Sequence, residues 1–293
     1  MKLGFMGLGQ MGKHMAMNLH RCGEELIVCD VRTTVFPEFE EKGIRTTTNL
    51  QDIAACDIIF LCLPNTEIVQ SVILSDNGLR KRLRAGQIIA DMSTIDYAAS
   101  VEITKALAGI GVEFMDAPVT GMEARAKDGT LTVICGGTRE LYEKLTPYFK
   151  YMGNNILLMG SHGCGQLTKA INNTLFDINI AALAEILPMA VKLGLDPETI
   201  GSVINSGSGR SYASEFFIPR ILKRNFGDGY PLEHAYKDLI CTGDISVKMG
   251  VPLPVTHAAT TTYQMALLKG LGHQDKGAMI CIFEELLGVE YKK

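Results

Sequence analysis

At 293 residues, 47% hydrophobic and 20% charged, the chain suits one or two domains that bury their own cores without metal or disulfide support. A net charge of −4 gives no electrostatic footprint for nucleic acid or anionic membrane. No run approaches the roughly 18 apolar residues of a membrane helix, and the eight cysteines include no C-x-x-C pair and no metal-ligand spacing.

The first strand is expected to start at Lys2 or Leu3, which leaves no room for a signal peptide and predicts a cytoplasmic protein with reduced thiols. Leu3 to Met6 is a short apolar run followed by Gly7-Leu8-Gly9-Gln10-Met11-Gly12. A helical pattern then continues through Met15, Ala16 and Leu19 to a stop at Cys22-Gly23. Strand, glycine turn and helix in this order are the context a G-x-G-x-x-G needs. Gly7 makes the tight turn, Gly9 admits a pyrophosphate to the backbone and Gly12 lets helix pack on strand, while the amides of the helix start face the phosphates. Leu26 to Cys29 is the second strand and ends in Asp30, 18 residues after Gly12. A carboxylate there accepts the adenosine ribose hydroxyls and repels a 2′-phosphate, which favours NAD. Arg32 pulls the other way, since a guanidinium can pair with that phosphate, so NADP stays open.

Further apolar runs at Asp57 to Leu63, Ile88 to Ala90, Val112 to Met115, Leu131 to Cys135 and Ile156 to Leu158 alternate with helical patterns. That is α/β: an N-terminal Rossmann-type, doubly wound, mostly parallel sheet covered on both faces. Ligands of such sheets lie beyond the carboxyl ends of the strands. The tips Pro64-Asn65-Thr66, Ser93-Thr94 and Pro118-Val119-Thr120-Gly121 are therefore expected to converge on the nicotinamide end.

After Gly165 the strand signals stop. Helical patterns run from Gln166 to Leu193, with a kink expected at Pro188, then from Pro197 to Asn205, around Ser214 to Lys223, from Leu232 to Met249, from Pro254 to Leu268 and from Asp275 to Leu287. Residues 1–162 thus read as a dinucleotide-binding domain and 163–293 as an all-α substrate and oligomerisation domain begun by a long inter-domain helix. On that helix Lys169 and Asn173 stand four apart, so one cation and one amide address a common space from origins about 6 Å apart. For an arbitrary helix such a pair is a solvated lysine and a surface amide; the motifs upstream argue otherwise.

With these pieces in order, the chain resembles the β-hydroxyacid dehydrogenase family of 3-hydroxyisobutyrate dehydrogenases, tartronate semialdehyde reductases and 2-(hydroxymethyl)glutarate dehydrogenases. The resemblance covers essentially the whole chain. It is carried by Gly7 to Gly12 with Met15 to Leu19, by Asp116 to Gly121 with Gly129-Thr130-Leu131, by Gly163-Cys164-Gly165 through Lys169 to Asn173, and by Lys237-Asp238-Leu239. It implies Lys169 as the catalytic lysine with Asn173 beside it. It implies Thr120, Gly121 and Met122 as a cradle for the substrate carboxylate. Thr94, the Leu63-Pro64-Asn65 turn and Lys237 are implied as cofactor contacts beside the glycine turn and Asp30. Arg210, in Gly207-Ser208-Gly209-Arg210-Ser211-Tyr212, resembles the matching loop of the 2-(hydroxymethyl)glutarate enzymes and would answer a second carboxylate, or else is a solvated loop residue. Two positions depart from the family: many members have Ser where this chain has Thr120, and Gly where it has Met122, whose bulk lies beside the expected substrate.

The implied activity is hydride transfer between a nicotinamide cofactor and a short β-hydroxy acid or semialdehyde acid, with Lys169 exchanging the oxygen's proton. The expected partners are a small carboxylate substrate and further copies of the chain, as a homodimer or homotetramer, with no nucleic acid and no membrane. Two alternatives are an imine reductase-like enzyme, against which Lys169 argues, and a non-catalytic dinucleotide sensor, which would not need the Lys169 and Asn173 pair.

Overall fold

The computed structural model describes residues 1–293 apart from Asp228. The chain forms two compact units, Met1–Lys169 and Ala170–Lys293.

In the first unit the apolar runs become β1 (Lys2–Met6), β2 (Glu25–Cys29), β4 (Ile58–Leu61), β5 (Ile88–Asp91), β6 (Glu113–Asp116), β8 (Leu131–Gly136) and β9 (Gly153–Gly160). Two more, β3 (Arg45–Thr47) and β7 (Val119–Thr120), carry no apolar run and were not legible in the sequence. Both are short and lie at the ends of the main strand path, where backbone pairing on one side suffices. The order is β3-β2-β1-β4-β5-β6-β8-β7, with β9 on β8. From β3 to β6 neighbours are parallel; β8 runs antiparallel to β6 and β7, and β9 parallel to β8.

Helices α1 (Gly12–His20), α2 (Phe36–Glu40), α3 (Leu50–Ala54), α4 (Thr66–Leu74), α5 (Tyr97–Ala108), α6 (Met122–Asp128) and α7 (Arg139–Met152) belong to the same unit. Alternate strand residues feed two cores. Leu3, Phe5, Val28 and Phe60 pack with Met15 and Leu19 of α1 and Leu145 and Phe149 of α7. Ile27, Ile59, Leu61 and Ile89 pack with Val69 and Ile73 of α4 and Ile103 and Leu107 of α5. Burial on both faces is why β1, β2, β4 and β5 read as near-continuous apolar runs, whereas β9, apolar in sequence, leaves Leu157 and Met159 exposed and departs from the expected cover on both faces. Phe60 is fully buried, its ring 6.3 Å from Phe5 and 6.1 Å from Phe149, and truncating it to Ala would cost about 3–5 kcal/mol.

The second unit is helical: most of α8 (Cys164–Lys192), then α9 (Pro197–Ser206), α10 (Tyr212–Leu222), α11 (Leu232–Met249), α12 (Pro254–Leu268) and α13 (Ile280–Leu287). Asp196 caps α9 by accepting from the Thr199 amide, with Pro197 at the first helical position. The stretch read as one helix from Asp275 is instead a 3₁₀ turn, Lys276–Met279, leading into α13, with the Asp275 side chain accepting from the Gly277 amide. Ile180, Ala184 and Leu187 of α8 pack with Phe217 and Ile221 of α10, Leu239 of α11 and Tyr263 of α12. α8 runs 29 residues with Pro188 inside it. It also corrects the expectation about membrane spans: by length and composition alone it is apolar enough to cross one, and half of its most apolar stretch is buried within the fold.

Candidate active site

Because β1, β4, β5 and β6 are parallel, the segments after them leave one edge of the sheet. The glycine turn follows β1, Leu63-Pro64-Asn65 follows β4, Ser93-Thr94-Ile95 follows β5, and Pro118 to Gly121 follows β6. Every cofactor or cradle segment expected in the first unit therefore lies at that edge.

The glycine turn fits a dinucleotide phosphate. Gly7 adopts φ +96°, and a Cβ on Gly12 would collide with the Gly7 carbonyl, so both positions exclude other residues. At Gly9 a Cβ would meet only the Arg32 guanidinium, at 3.7 Å, so the backbone there is open to a close-approaching group. Among the described residues no side chain caps the start of α1, and its first turn holds no acid. Leu8, Gln10 and Met11 complete a helix start suited to an anion. Asp30, buried at the end of β2, accepts from the Leu8 amide at 2.6 Å and from the Arg32 amide at 2.8 Å. Its carboxylate thus shapes the turn. The exposed Arg32 Nε lies 3.5 Å from Asp30 Oδ1, which places a cation at the same spot.

After β4 and β5 the backbone is tied across strands. The Leu63 amide donates to Ser93 Oγ at 2.8 Å, and the Ser93 amide donates to Asp91 Oδ1 at 3.0 Å. Asp91 is fully buried, and burial pushes its carboxyl up to about 7 against the opposing bonds from Ser93. Asn65 caps α4, its Oδ1 accepting from the Ile68 amide at 2.9 Å, which fixes the turn that Pro64 begins. Thr94 itself is exposed, between buried Ser93 and Ile95.

Asp116 is the anchor for the helix that carries Lys169. It ends β6, pairs in register with Gly136 of β8, and Gly136 in turn pairs with Gly160 of β9. Its carboxylate accepts from the amides of Gly163 at 2.7 Å and Gln166 at 3.0 Å, at the start of α8. A Cβ on Gly165 would stand 2.5 Å from the Ile134 carbonyl and 2.7 Å from Asp116 Oδ2, which explains glycine there. Burial raises the Asp116 carboxyl above its ordinary value, while the amides of Gly163 and Gln166 pull it back. The Gln166 side chain donates to the Ser93 carbonyl at 2.7 Å and accepts from the Ile95 amide at 3.1 Å. Lys169, half-buried, follows three residues on.

In the cradle segment Thr120 pairs with Thr132 of β8, Gly121 adopts φ +138° and Met122 φ +63°. A non-glycine residue in that region is strained, so the departure at Met122 has a backbone cost as well as added bulk. The next residue, Glu123, joins cradle to fingerprint: Gln10 Nε2 donates to it at 2.7 Å, and His14 Nε2 lies 3.2 Å from its other oxygen. Those two bonds hold the Glu123 carboxyl below its ordinary value.

In the second unit Asn173 is half-buried and its Nδ2 donates to Asp238 Oδ2 at 2.9 Å. Lys237, beside Asp238 on α11, is exposed. One turn beyond Asn173 the buried Asp177 pairs with Lys276 and accepts from the Tyr263 hydroxyl at 3.2 Å. Burial pushes the Asp177 carboxyl up to about 6, against the pull of the Lys276 charge. Arg210 is exposed and its Nε donates to Glu215 at 2.7 Å, so a second substrate carboxylate would compete with that pair.

The structure thus brings the glycine turn, Leu63, Thr94, the cradle and the start of α8 into one set of backbone and side-chain bonds. Asp91, Ser93, Asp116 and Gln166 carry bonds of that set, while Asp238 holds Asn173 within the second unit; apart from Ser93, named in a tip expected at the nicotinamide end, none was given a role from the sequence. Asp116 and Asp238 lie inside segments that carried the family resemblance, and the glycines flanking Cys164 hinted at a close approach. Gln166 likewise lies inside the Gly163 to Asn173 segment, and for Asp91 no local signal exists.

The family model of the NAD binding domain of 6-phosphogluconate dehydrogenase matches residues 2–160, and that of the NAD-binding domain of NADP-dependent 3-hydroxyisobutyrate dehydrogenase matches residues 163–283. The chain is 37% identical to the 2-(hydroxymethyl)glutarate dehydrogenase of Eubacterium barkeri, over 98% of this chain and 96% of that protein. It is 33% identical to the 2-hydroxy-3-oxopropionate reductase of Escherichia coli K12, over 97% of each. The solved structure of 3-hydroxyisobutyrate dehydrogenase of Mycobacterium tuberculosis with L-serine superposes with a TM-score of 0.85, at 25% identity, over 96% of this chain and 98% of that one. With a phosphate-binding turn at the carboxyl edge of a parallel sheet and this likeness along its whole length, the chain belongs to the β-hydroxyacid dehydrogenase family of NAD(P)-dependent oxidoreductases that act on CH–OH groups.

Proposed function

We propose that the chain interconverts a short β-hydroxy acid and its semialdehyde acid, with Lys169 as general acid in reduction and general base in oxidation. One observation carries this reading most: Lys169 follows a helix start held by Asp116 and Gln166 at the edge where the cofactor segments end. A lysine needed only for solubility requires no such anchoring. When bound, the nicotinamide supplies or accepts the hydride. Lys169 then moves the proton of the reacting oxygen. Thr120, the Gly121 amide and Asn173 orient the carboxylate and that oxygen, contributing position rather than bond chemistry. Met122 narrows the cradle, and Arg210 would answer a second carboxylate once released from Glu215. The names of the relatives support this substrate class, since each acts on a hydroxy acid or an oxo acid.

In this reading residues 1–162 bind the cofactor through Gly7 to Gly12, Asp30, Leu63 to Asn65 and Thr94, with Lys237 reaching it from the helical part. Residues 163–293 hold the substrate and the subunit contact. Asp30 supports NAD as the working cofactor, and Arg32 leaves NADP usable. A homodimer or homotetramer is supported by the exposed apolar residues Ile171, Leu175, Ile186 and Met189 along α8 and Leu193 just past its end, a stripe that a second copy would cover. A cytoplasmic setting is supported by eight free cysteines.

The test is absorbance at the reduced-nicotinamide band with a panel of hydroxy acids, with NAD and NADP in parallel. The panel holds 3-hydroxypropionate, 3-hydroxyisobutyrate, glycerate, 4-hydroxybutyrate, 2-(hydroxymethyl)glutarate and a hydroxyalkyl sulfonate. Lys169→Ala is expected to lower turnover by about two to four orders of magnitude with cofactor affinity nearly intact. Unchanged turnover in that variant removes Lys169 from the mechanism.

A further inference from the structure

We infer that Gln166 is a positioning residue that couples the Thr94 loop to Lys169, so that the general acid/base is aligned by the loop expected to touch the cofactor. The inference rests on the reading of Lys169 given above and adds to it the residue that aims it.

Gln166 is 1% exposed and both ends of its side-chain amide are bonded. Nε2 donates to the Ser93 carbonyl at 2.7 Å, and Oε1 accepts from the Ile95 amide at 3.1 Å. These two groups flank Thr94, which is exposed between them. One side chain therefore clamps the backbone on both sides of exposed Thr94. The Gln166 backbone amide is meanwhile held by Asp116 at 3.0 Å. Gln166 is fixed at both ends, and rotation of the first turn of α8 is fixed with it. Lys169 lies at i+3 on the same helix, where side chains share a face. A shift of the Ser93 to Ile95 backbone would turn Gln166, and with it the direction of Lys169. A misplacement of about 1 Å at a reacting group costs on the order of 100-fold in rate. Ser93 extends the linkage, because its Oγ accepts from the Leu63 amide of the neighbouring turn at 2.8 Å.

A purely structural glutamine would satisfy two backbone groups and do nothing more. The two roles separate in a double-mutant cycle. Gln166→Met keeps the length and volume of the side chain and removes both bonds. It is expected to lower kcat by about 10- to 100-fold when Lys169 is present and by less than about threefold in the Lys169→Ala background, because misaiming an absent group costs nothing. An equal factor in both backgrounds overturns the inference while leaving Lys169 in its role. Loss of turnover through Gln166→Met with none through Lys169→Ala overturns the reading of Lys169 instead. If Gln166→Met does not fold, Gln166→Glu serves in the same cycle. It keeps the acceptor toward Ile95 and regains the donor toward Ser93 only when protonated, so its deficit should shrink as pH falls.

Amide hydrogen exchange gives a readout independent of substrate. In the wild type without cofactor, the Ile95 amide is expected to be protected. Adding NADH should slow exchange both around Thr94 and across Gln166 to Lys169. In Gln166→Met the slowing around Thr94 should persist and that at Gln166 to Lys169 should vanish. Undiminished slowing at both places would overturn the coupling.

Discussion

The side-chain amide of Asn173 donates to Asp238 at 2.9 Å. A primary amide has two equivalent-looking ends, and which one faces a substrate is decided by the partner of the other. With Nδ2 directed at a carboxylate, Oδ1 is the end turned elsewhere, and the Asn172 side-chain Nδ2 donates to it at 3.4 Å.

Asp238→Ala is therefore expected to free the Asn173 amide to flip, lowering kcat/KM for the hydroxy acid about 10- to 100-fold with the cofactor constant within about twofold. Asp238→Asn can still accept through its own carbonyl and should recover most of the loss. Steady-state kinetics of the two variants side by side decide it; equal damage from both would mean that the charge of Asp238 matters rather than its acceptor.

Met122 sits at φ +63°, a region costly for a residue with a Cβ. Met122→Gly should stabilise the fold by about 1 kcal/mol, less the extra entropy glycine carries in the unfolded chain, and should widen the set of acids turned over. Denaturant midpoints and the panel assay measure both. A destabilised glycine variant would show that packing of the methionine outweighs its strained backbone.

Asp91 predicts a pH dependence of stability. Its folded value is about 7 against an ordinary 3.8, raised mainly by burial. A raised carboxyl favours the fold fully below the unfolded value, and that contribution is lost as pH climbs through the folded one. Asp91→Asn has no such titration and keeps the acceptor for the Ser93 amide. Relative to this variant, the wild type should lose up to about 1.4 kcal/mol per pH unit between pH 4 and 7 and change little above. Urea melts at pH 5, 6, 7 and 8 check it. A constant difference across that range would mean an ordinary carboxyl.

Asp30 and Arg32 stand within 3.5 Å of each other at the end of β2 and give opposite instructions to a ribose. Arg32→Ala should reduce kcat/KM with NADP several-fold more than with NAD. Asp30→Ala should narrow the preference from the other side and also loosen the glycine turn, since the Leu8 amide loses its acceptor. Parallel titrations with both cofactors test the pair; no change in the ratio would place ribose recognition elsewhere.

Much of this protein is written locally. Apolar runs separated by turns gave the buried strands, because a strand covered on both faces has no polar side to show. The spacing of Gly7, Gly9 and Gly12 after one of those runs predicted a phosphate turn; in the structure Gly12 packs on the Gly7 carbonyl, Gly7 on the distant Cys62 carbonyl, and Gly9 leaves its backbone open. Lys169 and Asn173 were expected on one helix because their segment has a helical pattern, and α8 carries both. β3 and β7 were not legible, since an edge strand is held by pairing and needs no apolar pattern of its own. Nor were the long-range bonds around Lys169 and Asn173. Gln166 meets Ser93 from 73 residues away, Asp116 meets Gly163 from 47, and Asn173 meets Asp238 from 65. The residue types of the site follow from local chemistry, whereas the bonds that aim them form only when the chain returns on itself, and no window of sequence contains both ends.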